Sequence, residues 1–243
     1  MAQKILVTNF KGGCGVTTFC IGLGIALARA GERTLIVDGD AVCGTGMLTG
    51  GCANMQTYTL ADFAKGACRA KQTAVAHPKI LNLSFMASLG LEDKSFIDKA
   101  VGEVDGLYDY ILLDDTPQCK CDGALIVTEP YLPSIKCADM KKAALSDGGI
   151  KNAGLVVNKL SGGQILSGEV MTAQEIASLL HLPLRAVIPE DLSMPLGKWK
   201  KTTMKAFRAA ADTISGKREI ILNVLSGYFG INGFIKRKMR EKI

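Results

Sequence analysis

Residues 9–19 read "NFKGGCGVTTF". They close an apolar run, "KILVTNF" at 4–10, and lead into "TTFCIGLGIALARAGE" at 17–32, which is apolar along one side. An apolar strand, a glycine-rich turn and a helix, in that order, turn backbone N–H groups inward around phosphate oxygens. The helix N-terminus adds about half a positive charge. The phosphate-binding pattern G-x-x-x-x-G-K-[ST] places a lysine after its last glycine. Here Gly15 is followed by Val16. The stretch therefore points to an α/β fold with a phosphate site, and leaves open what that site does without its lysine.

Outward from this stretch, further runs are dense in Val, Ile and Leu: "RTLIVDGD" (33–40), "LNLSFMAS" (81–88), "YDYILLDD" (108–115), "ALIVTEP" (124–130), "AGLVVNKL" (153–160) and "PLRAVIPE" (183–190). They do not alternate strictly, which is how strands buried on both faces of a parallel sheet read. Helical patterns lie between many of them. "TAQEIASLLHL" (172–182) opens with Thr172 and carries Glu175 three residues on, a capping-box signature. The expected fold is a doubly wound, mostly parallel sheet with helices on both faces, spanning residues 1–216 as one domain.

In such a sheet ligands sit beyond the carboxyl ends of the strands. The first strand delivers Lys11-Gly12-Gly13-Cys14-Gly15-Val16-Thr17-Thr18, in which the Thr17 hydroxyl is suited to Mg²⁺. The second delivers Asp38 and Asp40, and "YDYILLDD" delivers Asp114 and Asp115. A carboxylate after an apolar strand is the usual companion of a nucleotide-bound Mg²⁺. "GLVVNKL" delivers Asn158, whose amide can pair with a base edge.

With these residues in view, the chain resembles the MinD/ParA family of ATPases. "KGGCGVTT" resembles the family's deviant phosphate loop, KGGxGK[ST][ST]. "LIVDGD" resembles its first switch strand and "YDYILLDDTP" its Walker B and second switch. "ALIVTEPYLPSIKCADMKKAAL" resembles its V-x-T-x-P-x-x-x-S-x-x-D-A segment, and "GLVVNKL", "AVIPED" and "AFRAAADTISG" follow in the family's order. The resemblance covers roughly residues 3–216 and is strongest to the MinD branch, membrane-associated positioning ATPases of bacterial cell division. It implies a P-loop NTPase fold with ATP and Mg²⁺ as ligands and a nucleotide-sandwich homodimer. It implies that Lys11 reaches the partner subunit's phosphates and that Gly12, Gly13, Cys14, Gly15 and Val16 form the loop. Thr17 is implied on Mg²⁺ and Thr18 near the α-phosphate. Asp40 is implied to position the attacking water, with Asp38 nearby at the metal, and Asp114 to act on Mg²⁺ through water. Asn158 is implied to contact adenine, with the backbone at Pro189, Glu190 and Asp191 completing the base pocket.

Two departures bear on activity. Val16 offers neither charge nor donor where phosphoryl transfer depends on positioning and charge stabilisation. Binding is expected to survive, weakened, with hydrolysis slow or lost. Second, only nine residues, "DTPQCKCDG", separate Asp114 from "ALIVTEP". MinD-like chains carry a helix there, and a parallel crossover normally needs about ten to twelve residues. Together these keep a second reading open: a non-enzymatic localisation scaffold resembling the degenerate MinD-like proteins of pilus assembly. Cys119 and Cys121 keep a third one open, because nitrogenase-type iron proteins share this fold and hold an iron–sulfur cluster at their dimer interface.

The formal net charge is +6, but residues 198–243 alone hold twelve Lys/Arg against three Asp/Glu. A basic end on a near-neutral body suits an acidic partner. Within the expected tail, 217–243, Phe234, Ile235 and Met239 are interleaved with Lys236, Arg237 and Lys238. That pattern suits a helix lying at an anionic membrane surface, and "GFIKRKM" resembles the MinD membrane-targeting tail. A helix packed on a protein partner and a disordered basic end remain alternatives, and the apolar side chains disfavour nucleic acid. No apolar run approaches the roughly 20 residues of a membrane span, and the N-terminus does not read as a signal peptide. The expectation is a cytoplasmic protein, its eight cysteines reduced, peripheral on the inner face of the cytoplasmic membrane with a partner from the positioning machinery.

Overall fold

The structure, a computed structural model, describes residues 1–53, 55–116, 119–194 and 199–228. The tail residues Phe234, Ile235, Lys236, Arg237, Lys238 and Met239 lie outside the described residues. The strands are β1 (Gln3–Thr8), β2 (Thr34–Asp38), β3 (Ala74–Ala76), β4 (Leu83–Ala87), β5 (Tyr110–Asp114), β6 (Gly123–Thr128), β7 (Ala153–Leu160) and β8 (Leu184–Pro189). They form one sheet in the order β3-β4-β2-β5-β1-β6-β7-β8. Every pairing is parallel except β3 with β4. The expected doubly wound sheet is present, and each apolar run of the sequence is one of its strands. β2 and β6 are buried along their whole length, which accounts for the continuous rather than alternating runs. The edge strand β3 escaped the sequence reading, because "AVA" is too short to show a period.

The helices are α1 (Val16–Arg29), α2 (Thr45–Thr49), α3 (Leu60–Ala64), α4 (Ala70–Thr73), α5 (Ser95–Val104), α6 (Leu132–Asp147), α7 (Gly162–Leu166), α8 (Ala173–Leu180) and α9 (Lys201–Ile214). Phe19, Leu23 and Leu27 of α1 and Ala206, Phe207 and Ala210 of α9 share one core with Ile5, Ile36 and Leu112 of the sheet. Ile97 and Val101 of α5, Ile135 and Ala138 of α6 and Ile176 and Leu180 of α8 fill the other face, against Leu6, Leu113 and Ile126. α1 lies close to its neighbours because Gly22 faces the Phe207 ring, where a Cβ would collide. The capping box is observed as expected: Thr172 Oγ1 accepts from the Glu175 N–H at 3.2 Å, and the Glu175 carboxylate accepts from the Thr172 N–H at 2.8 Å.

The short crossover takes an unexpected route. β5 and β6 flank β1 on opposite sides, so residues 115–122 cross it. The Asp115 N–H donates to the Val7 carbonyl at 2.9 Å and the Asp122 N–H to the Lys4 carbonyl at 2.9 Å. The return therefore covers three residue steps of the strand, roughly 10 Å, and eight residues can reach about 26 Å when extended. None of the described residues of this segment is helical. Cys119 is buried in the core instead, where the Asp98 carboxylate, which lies 3.4 Å from its sulfur, also accepts the Lys120 N–H at 2.9 Å.

Beyond α9 the segment expected as a separate tail stays on the body as far as Tyr228. The Ile220 N–H donates to Thr213 Oγ1 at 2.9 Å, Lys217 pairs with Glu32 at 2.6 Å, and Ile221 and Val224 pack on the core. Among the described residues no helix is long and apolar enough to cross a membrane. All eight cysteines are free thiols.

Candidate functional site

β1, β2 and β5 end side by side at the carboxyl edge of the sheet, and register sets Asp38 directly across from Asp114 and Val7 beside it. The chain leaving β1 turns through Lys11–Gly15 into α1. Gly15 is left-handed at φ 94, and a Cβ there would strike the Asn158 amide, so only glycine fits this turn. No side chain caps the first turn of α1, and no acidic residue stands in it. Its N–H groups therefore remain available to an anion. The loop, Val16, Thr17, Thr18, Asp114 and Asp115 line a cavity of about 430 Å³.

Asp114 sits at the floor of this cavity. It is 3% exposed, and its Oδ1 is buried with no hydrogen-bond partner. Burial pushes its carboxyl up to about 7, the Thr17 hydroxyl bonded to it opposes the rise, and Asp38, Asp115 and Asp40 add repulsion. A buried carboxylate with an orphaned oxygen beside a threonine hydroxyl fits a hard cation. Mg²⁺ uses one or two protein oxygens, keeps waters and takes the rest of its ligands from phosphate. Among the described residues no group of three or more His, Cys, Asp or Glu could hold a metal, so any ion here depends on such added ligands.

The other aspartates are held by local hydrogen bonds. Asp38 is buried, and its two oxygens accept the Asp40 N–H at 3.0 Å and the Met47 N–H at 3.1 Å, tying α2 to the end of β2. Burial raises its carboxyl and these backbone donors oppose the rise. Asp40 Oδ1 accepts from the Val42 and Cys43 N–H groups at 3.0 Å, which shapes the loop after β2. Asp191 accepts from Ser193, from the Lys200 N–H at 3.0 Å and from Thr203 Oγ1 at 2.7 Å. These bonds hold its carboxyl far below the usual range against burial, and its side chain anchors α9 to the loop after Pro189. Glu190 stands beside it, its N–H donating to the Leu160 carbonyl at 3.2 Å.

Asn158 is also buried. Its amide donates to the Cys14 carbonyl at 2.9 Å, which pins the loop to β7, while Oδ1 has no partner. Cys14 donates its thiol to the Lys11 carbonyl at 3.1 Å, and burial raises that thiol, keeping it neutral. Cys119 faces the core, and burial raises its thiol to about 12. Burial raises Cys121 as well. Cys119 is buried in the core rather than presented at a surface, which speaks against the iron–sulfur reading.

Sequence reasoning passed over two charged residues. Glu129 follows β6 and Lys159 lies near the end of β7, and both bond at the loop. Lys11 Nζ lies 2.6 Å and Lys159 Nζ 2.7 Å from the Glu129 carboxylate. Each stands at the carboxyl edge of an apolar strand, the position that should have marked them. The buried Lys141 was missed too: it stacks 4.5 Å from the centre of the Phe10 ring and 3.9 Å from Asp115.

A family model described as an AAA domain matches residues 2–147. A putative septum site-determining protein MinD from Oltmannsiellopsis viridis is 31% identical over 251 residues, covering 93% of this chain and 79% of the relative. Among solved structures, the MinC:MinD cell division complex of Aquifex aeolicus superposes with a TM-score of 0.82 at 26% identity, covering 91% of this chain and 98% of that one. MinD of Pyrococcus horikoshii, solved with Mg-ADP, gives 0.77 at 22% identity, covering 90% of this chain and all of that one. With this loop, this sheet order and these relatives, the chain belongs to the MinD/ParA family of P-loop ATPases.

Proposed function

We propose that this chain binds ATP with Mg²⁺ in the loop cavity, dimerises around it, turns it over slowly or not at all, and serves as a membrane-associated positioning factor in division-site selection. The observation that carries the nucleotide part is the orphaned, buried Oδ1 of Asp114 beside Thr17, beneath an uncapped helix start. Gly12, Gly13, Gly15 and the first turn of α1 donate to phosphate, with Thr18 at its far end. Thr17 and Asp114 hold Mg²⁺, directly or through water, with Asp38 behind them. Mg²⁺ would supply charge neutralisation between the phosphates. Lys11 crosses to the partner subunit, Asp40 orients water, and Asn158 Oδ1 with the backbone at 189–191 accepts the base. Residues 217–243 form the membrane-directed segment, its first part lying against the body as far as Tyr228. Two such tails in a dimer hold a surface far better than one, which links nucleotide state to location. The partner is a protein of the same machinery, as MinC is for the Aquifex protein.

Val16 and the short crossover favour a second reading, a scaffold that binds no partner subunit through nucleotide. Light scattering separates the two. The switch reading expects a monomer with Mg²⁺-ADP, a dimer with Mg²⁺-ATP, and ATP-dependent flotation with anionic vesicles. A chain that stays monomeric in saturating ATP, or floats equally without it, supports the scaffold.

A further inference from the structure

The charge missing at Val16 has a counterpart nearby. Glu129 is nearly buried, its side chain 10% exposed. Its Oε2 accepts from Lys11 Nζ at 2.6 Å and its Oε1 from Lys159 Nζ at 2.7 Å. Lys159 Nζ donates at the same time to the Gly13 carbonyl of the loop at 2.6 Å. The backbone that carries Glu129 is held in place: the Glu129 N–H donates to Ser134 Oγ at 3.0 Å, and Asn9 Nδ2 donates to the Val127 carbonyl, two residues before, at 2.6 Å. Lys159 has φ 55, a left-handed backbone that a lysine adopts at a cost of roughly 1–2 kcal/mol. Backbone strain of this kind gathers where function holds it. One carboxylate thus faces two ammonium groups, and both ammonium groups border the phosphate loop. Burial favours the neutral Glu129 carboxyl, yet the two lysine bonds outweigh it and lower its pKa, so it is a charged competitor for those cations.

We propose that Lys159 supplies from β7 the phosphate-directed charge that Val16 does not, and that Glu129 latches Lys159 and Lys11 until a polyphosphate displaces it. The proposal rests on the loop cavity being a phosphate site. A carboxylate and a phosphate compete for the same donors, so latch removal and cation removal must shift affinity in opposite directions. A merely structural ion cluster would lower affinity in both cases.

The test is calorimetry with Mg²⁺-ADP on the full chain, with thermal melting of each ligand-free variant recorded beside it. Partly exposed charge pairs set the expected size at about 3- to 10-fold. Glu129→Gln is expected to bind that much more tightly than the native chain and Lys159→Gln that much more weakly. Lys159→Arg is expected to recover most of the loss. In the double variant, Glu129→Gln is expected to help less. If the native chain binds and neither substitution moves affinity, or both weaken it, the latch is wrong and the phosphate site stands. If neither the native chain nor Glu129→Gln binds Mg²⁺-ADP, the phosphate reading fails and the latch with it.

Discussion

Val16→Lys is expected to raise ATP turnover by about 10²–10³-fold, the size of one preorganised charge contact at a developing negative centre. Val16 opens α1 and lines the cavity, partly buried against the core, so a lysine there keeps its stem beside the core and extends its ammonium into the phosphate space. The native loop offers backbone N–H groups and two lysines, and both of those are bonded to Glu129. Neither projects from the helix start between the phosphates, where charge is most useful in transfer. Phosphate release at saturating Mg²⁺-ATP, with anionic vesicles present, measures the effect. A gain below about threefold would mean that the short crossover, rather than Val16, limits turnover.

Asp114→Asn is expected to stabilise the ligand-free protein at alkaline pH. The Asp114 carboxyl is pushed from 3.8 up to about 7, chiefly by burial. Its folded pKa lies above its unfolded one, so the folded chain retains a proton that the unfolded chain releases. The contribution to stability is full below pH 3.8, falls as pH rises towards 7, and is gone above it. That interval corresponds to about 4 kcal/mol. In magnesium-free buffer, urea unfolding is expected to show the variant more stable by about 3–4 kcal/mol at pH 8, with the difference shrinking steadily as pH falls below 7. A constant difference across that range would show that Asp114 ionises freely in the fold. The same variant is expected to bind Mg²⁺-ATP more weakly, since the destabilising carboxylate is the one proposed to receive the cation.

Most of the fold was legible because parallel strands buried on both faces leave unbroken apolar runs, and because Thr172 and Glu175 announce a helix start. The edge strand β3 was not: three residues pairing antiparallel with β4 carry no period to read. The crossover was legible as an anomaly in length, and its route was not. Its path across β1 depends on bonds to the Val7 and Lys4 carbonyls, which are fixed only by the sheet order. The candidate site divides in the same way. Lys11, Thr17 and Asp114 stand in local motifs, each at the end of a strand or the start of a helix. Glu129 and Lys159 also stand at strand ends, but their pairing does not show locally: the carboxylate lies 118 residues from Lys11 and 30 from Lys159 along the chain. Each alone reads as a charged boundary residue. Asn158 was legible as a polar residue after an apolar strand, but its bond to the Cys14 carbonyl comes from tertiary structure.

The loop is expected to bind nucleotide even without its lysine. Calorimetric titration of the native chain with Mg²⁺-ATP, run beside Val16→Lys, decides this. The native chain is expected to show saturable micromolar binding, one nucleotide per chain, carried by the backbone of the loop, Lys11 and the Asp114 site. Binding by Val16→Lys alone, with no heat from the native chain at millimolar ATP, would contradict it and leave a scaffold on an ATPase fold.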